Sequence, residues 1–86
     1  MTVELIEKFV ANKIKKGESV NIHFKDRHTV TGLFIHAVDY DELKSKNFWR
    51  IINNQNLAQW KQTKDMNLAR LFNGASFTRL SESESK

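Results

Sequence analysis

The residues with chemical potential in this chain are few. His23, His28 and His36 share no metal-ligand spacing on one element, and no paired carboxylates accompany them. There is no cysteine to serve as a nucleophile, disulfide partner or thiolate ligand. Ser19, Ser76 and the serines near the C-terminal end have no neighbouring base to activate a hydroxyl, and no glycine-rich phosphate loop occurs. Catalysis, a metal and a cofactor are therefore not expected. The remaining chemistry is that of binding. Between Asp39 and Asn47, Tyr40 offers a flat ring and Lys44 and Lys46 offer cations, among the acids Asp39, Asp41 and Glu42. Cations that meet phosphate and rings that stack on bases are the ingredients of single-strand recognition. A solvated loop of mixed charge is the competing reading. A second basic set, Lys13, Lys15 and Lys16 with Lys25 and Arg27, would touch phosphate without choosing a sequence, although lysines closing a helix also complement its dipole.

The 86 residues suit one small domain with a thin core, for which help from a second copy is plausible. The formal net charge is +4, and it becomes +5 when the two glutamates and one lysine of the terminal SESESK are set aside. This balance suits a polyanionic partner. No run of apolar residues is long enough for a membrane span and no apolar signal core opens the chain, so the expected location is cytoplasmic. Residues 1–80 are expected to fold, and 81–86 to form a disordered polar tail.

Elements must position these groups. Val3, Ile6, Phe9, Val10 and Ile14 recur at helical spacing, Thr2 can cap the start and Gly17 can end the helix. Val20, Ile22 and Phe24 then alternate with polar residues as a first strand, and KDRH forms a tight turn. A long second strand is expected from Thr29 to about Asp39. It is apolar on both faces and so covered on both, and Gly32 marks its bend. YDELKSK reads as a charged loop and FWRII as a third strand. Its neighbours Phe48 and Trp49 point to opposite faces, so one of them meets a second layer, a partner subunit or a ligand. Residues 53–67 fit either a hairpin strand around Trp60 or a helix carrying Leu57, Trp60, Lys64, Leu68 and Leu71 on one face, and the period of two on either side favours the strand. LARLF and ASFTRL read as two strands around Asn73-Gly74, a turn expected to need positive φ. The expected fold class is mostly β: an N-terminal helix, then five short strands bent enough to serve both layers of a small barrel.

This layout resembles the Sm and Sm-like (Hfq-like) family. VTGLFIHAVD, followed by Asn47 and FWRII, is similar to the family's first motif of glycine, alternating apolars, aspartate and asparagine. LFNGASFTRL is similar to the second, with Phe77 and Leu80 at the third and sixth positions after Gly74. Asn73 stands where that motif has a basic residue, and seven residues separate Asp39 from Asn47. The resemblance implies rings of subunits in which the two motif loops line a nucleotide-binding pore. It places Asp39, Tyr40, Lys44, Lys46, Asn47, Asn73 and Gly74 at that pore.

The expected function is thus a ring-forming homo-oligomer that binds single-stranded RNA or DNA through backbone contacts and some stacking. The alternatives are a structural or protein-interaction oligomer on the same barrel, and a monomeric or dimeric DNA-binding regulator of SH3-like architecture.

Overall fold

The computed structural model describes residues 1–83. Helix α1 spans Val3–Lys16. The Thr2 hydroxyl accepts the Leu5 N–H at 3.3 Å, and Gly17 closes the helix at φ 68°, its N–H donating to the Ile14 carbonyl at 3.1 Å. The apolar stripe seats Ile6 and Val10 wholly inside the protein.

Five strands follow, β1 at Val20–Phe24, β2 at Val30–Phe34, β3 at Phe48–Asn53, β4 at Ala69–Asn73 and β5 at Phe77–Glu82. They form one antiparallel sheet in the order β4-β3-β2-β1-β5. The two edge strands are consecutive in sequence, joined by a single 3-10 turn at Gly74–Ser76. Four Cα steps reach at most about 15 Å, whereas the edges of a flat five-stranded sheet lie about 19 Å apart. The sheet must therefore curl. Its corner is filled by Phe24, whose ring centroid lies 5.9 Å from that of Phe72 in β4 and 5.3 Å from that of Phe77 in β5. No ladder joins β4 to β5 among the described residues, so the sheet is not closed and both edges remain free.

Gly32 sits in the middle of β2, paired with Val20 on one side and Asn53 on the other. A Cβ there would lie 2.6 Å from the Ile52 carbonyl oxygen and 2.8 Å from Ile51 Cγ2. The residue is small because the β3 backbone crosses directly over it.

The sheet buries both faces. On the inner face Ile6 and Val10 of α1 pack with Val20, Ile22, Phe34, Trp49, Ile51, Phe77 and Leu80. On the outer face Leu33, Ile35 and Ile52 are covered by Trp60, with Leu57, Leu68 and Ala69 at the margin. Trp49 points inward at 2% exposure, and Phe48 points outward at 36%.

Several boundaries differ from the sequence reading. The second strand stops at Phe34, because after the Ile35 N–H bonds the Arg50 carbonyl at 2.9 Å the chain leaves the ladder. The expected loop 40–46 holds a short helix, α2, at Tyr40–Ser45, with Asp41 and Glu42 in its first turn and Lys44 in its last. Of residues 53–67, Asn53 closes β3 and the remainder is not a strand. A 3-10 turn at Asn54–Asn56 leads into α3 at Leu57–Thr63, and Trp60 anchors it on the sheet. The turn at Asn73-Gly74 needs no positive φ: Asn73 sits at φ −87°, and Gly17 is the one described glycine in the left-handed region. Finally, Ser81 and Glu82 belong to β5, paired with Asn21 and Val20, so the fold runs past residue 80. Residues 84–86 of the expected tail lie outside the described residues.

Candidate nucleic-acid interface

The segment between β2 and β3 and the turn between β4 and β5 meet at Asn47. This residue follows α2 at φ 63°, a left-handed conformation that asparagine tolerates better than most side chains. Its N–H donates to the Lys44 carbonyl at 2.9 Å, and its own carbonyl accepts the Gly74 N–H at 2.8 Å. Its side-chain oxygen accepts the indole N–H of Trp49 at 2.8 Å, while its amide nitrogen donates to the Met1 carbonyl at 3.1 Å. The Met1 amino group donates in turn to the carbonyls of Gly74 at 3.0 Å and Phe77 at 2.9 Å. A Cβ on Gly74 would collide with the Asn47 carboxamide and come 2.6 Å from Ile6 Cδ1. One polar residue thus ties β3, α1 and the β4–β5 turn together.

The other expected site residues surround this clamp, most of them with partners inside the subunit. Asp39 pairs with Arg50 of β3, although Asp39 Oδ1 and Arg50 Nε remain buried without a hydrogen-bond partner. Lys44 pairs with Glu7 of α1 and lies 3.8 Å from Asp41. Lys46 is exposed and 4.0 Å from Glu42. The Asn73 side-chain oxygen accepts the Ala75 N–H at 2.9 Å, which shapes the turn. Tyr40 stacks on His36, with ring centroids 4.3 Å apart and planes inclined by 25°, and meets Trp49 edge-on at 6.1 Å. Lys44 Nζ lies 5.5 Å from the Tyr40 centroid. His36 is exposed, so the stack stands at the surface.

The second basic set divides. Lys13 Nζ lies 3.3 Å from Glu18 and 3.2 Å from Glu82, in a groove of about 620 Å³ between the end of α1 and α3 that Lys61 also lines. Lys25 and Arg27 border a separate depression of about 300 Å³ beside Ala75 and Ser76, where the Arg27 guanidinium covers the rings of Phe24 at 5.1 Å and Phe72 at 5.7 Å. Among the described residues, no three of His, Cys, Asp and Glu gather closely enough to hold a metal ion. No helix among the described residues is long and apolar enough to cross a membrane.

The roles of Glu7, Arg50 and His36 escape sequence reasoning. Each depends on a contact between elements, and only Arg50, two positions beyond Phe48 and so on the strand face opposite the inward Trp49, carries any local hint.

The site's ionisations favour the folded state below the alkaline range. The hydrogen bond to Glu7 raises the pKa of Lys44, against an opposing desolvation, and burial raises that of Tyr40, reinforced by the charge of Glu7. Both groups hold their protons to higher pH in the folded chain than in the unfolded one. Their contribution is complete below the ordinary lysine and tyrosine ranges and fades as pH rises through the raised values. Denaturant midpoints should fall over that window. Absorbance of the chain's single tyrosine should show its ionisation delayed relative to the unfolded protein, and coincident curves would contradict this.

No family model, no curated protein and no solved structure matches this chain.

Proposed function

We propose that the chain is a divergent Sm-like protein: its curled sheet forms a small barrel, copies join head to tail into a ring, and the ring binds single-stranded nucleic acid, foremost RNA, with low sequence specificity. The observation that carries this reading is the union of the two motif-like segments through Asn47 and Gly74, beside the His36-Tyr40 stack and the exposed Lys46. The free edges of β4 and β5 support the assembly. Pairing the β4 of one copy with the β5 of the next covers unpaired backbone that otherwise invites uncontrolled association, and it places Leu71, 53% exposed, in the contact. Each copy contributes one weak site, and the ring turns successive contacts into intramolecular ones. The role is handling or chaperoning of RNA or DNA in the cytoplasm, without a catalytic step.

A labelled oligonucleotide titrated at two salt concentrations tests the reading. Two phosphate contacts per strand lower affinity about sevenfold for a fourfold rise in salt. No binding at low salt, or binding indifferent to salt, rejects it. Native mass gives the subunit number, and five or more copies exclude an SH3-like regulator.

A structural or protein-interaction oligomer is the second reading. It is favoured by the internal pairing of Lys44 with Glu7 and Asp39 with Arg50, which spends charge a polyanion would otherwise meet. Asn73→Arg separates the two: a strong gain in RNA affinity places the nucleotide geometry at this turn, and no change favours the protein-interaction role.

A further inference from the structure

The outer side of β1 and its two neighbours carries a polar cluster that the site above does not use. His23 stands at its centre. Its Nδ1 lies 3.2 Å from Thr29 Oγ1, and its Nε2 lies 3.1 Å from Ser81 Oγ and 3.4 Å from Arg79 Nη2. A guanidinium can only donate, so Nε2 accepts, and the neutral ring carries its hydrogen on Nδ1, donated to Thr29. Beside it, Thr31 Oγ1 donates to Asn21 Oδ1 at 2.7 Å, and Asn21 Nδ2 donates to the Glu82 carbonyl at 3.2 Å.

Arg79 is poorly matched in this arrangement. Its five N–H donors meet a single imidazole lone pair. Among the described residues no carboxylate pairs with it. The other charged residues on the flanking segments are Lys25, Asp26, Arg27 and His28 in the β1–β2 turn and Glu82 at the end of β5. The Glu82 carboxylate is held by Lys13 at 3.2 Å. A guanidinium with spare fork donors, two hydroxyls and an imidazole able to gain a second N–H complement a tetrahedral oxyanion.

We infer that His23, Thr29, Arg79 and Ser81 form a receptor for a phosphate group, with occupancy coupled to protonation of His23. The anion takes the Arg79 fork and the Ser81 hydroxyl turns to donate to it. Nε2, relieved of the guanidinium, takes a proton from solvent and becomes a third donor. A protonated imidazole supplies a donor and a positive charge together, so the anion is expected to bind more tightly as pH falls through the window from about 8 to about 6.

Inorganic sulfate is the first probe, because its charge is constant over this window, and the ring signals of the chain's three histidines are the readout. Sulfate should shift His23 saturably while His28 and His36 stay in place, with affinity about tenfold higher near pH 6 than near pH 8. Arg79→Gln should weaken binding about tenfold or more at both values. Arg79→Lys should recover part of the loss, since it keeps charge without the fork. His23→Asn should flatten the pH dependence. Inorganic phosphate and dimethyl phosphate then separate the sources. Equal binding assigns the phosphodiester of a nucleic acid, and preference for inorganic phosphate assigns a free or terminal phosphate. Uniform movement of all three histidines, a silent His23, or an Arg79→Gln variant that binds like the parent overturns the proposal, whatever the oligonucleotide titration gives.

Discussion

Asn47→Ala is expected to destabilise the protein by about 3 kcal/mol and to lower its melting temperature by more than 10 °C, the largest effect of any single polar substitution. Two losses add. The indole N–H of Trp49, a residue 2% exposed, loses its acceptor. A buried donor without a partner costs about 1–3 kcal/mol. In addition, alanine at φ 63° pays about 1 kcal/mol for a backbone that asparagine accepts. Two companion variants divide the sum. Asn47→Gly removes the side chain but relieves the backbone, and should recover about 1 kcal/mol. Asn47→Asp keeps an acceptor for Trp49 and loses the donor to the Met1 carbonyl, and should be the mildest of the three. Denaturant unfolding followed by tryptophan fluorescence measures all of them. Equal stability of Asn47→Ala and the parent would refute the clamp.

Gly32→Ala is expected to cost about 2–3 kcal/mol through overpacking. The obstruction is the Ile52 carbonyl at 2.6 Å, part of the β3 backbone and its ladder, so relief requires the strands to separate. Gly17→Ala is the natural contrast. Nothing lies within 4 Å of a Cβ there, and the cost comes only from φ 68°, about 1 kcal/mol. If both substitutions cost the same in chemical denaturation, the close approach at Gly32 is not what selects glycine.

Much of the frame is legible in the sequence because its signals are local. Thr2 and Gly17 bracket a three-four stripe, and Val20, Ile22 and Phe24 alternate, so α1 and β1 appear where expected. The two-faced apolar character of Leu33, Phe34 and Ile35 correctly implies cover on both sides. What supplies the outer cover is α3 of the same chain, the less favoured of the two readings of this segment, because a seven-residue helix offers only Leu57 and Trp60 as a stripe. The six-residue α2 is shorter still, and its charges read as a loop. Of the expected site, Asn47 and Gly74 come together through a direct hydrogen bond that separation along the chain conceals. The fate of Lys44 and Asp39 was not readable at all, since Glu7 and Arg50 reach them only after α1 and β3 have been placed.

The pairing of β1 with β5 also sets the order in which the molecule can be completed. The bond between Asn21 and Glu82 spans 61 positions, so a nascent chain leaving the ribosome exposes one flank of β1 until nearly the whole domain has been synthesised. During that interval the flank is a sticky seam, open to another unfinished copy. Truncation before Phe77 would make the seam permanent and convert a folding unit into an aggregating one.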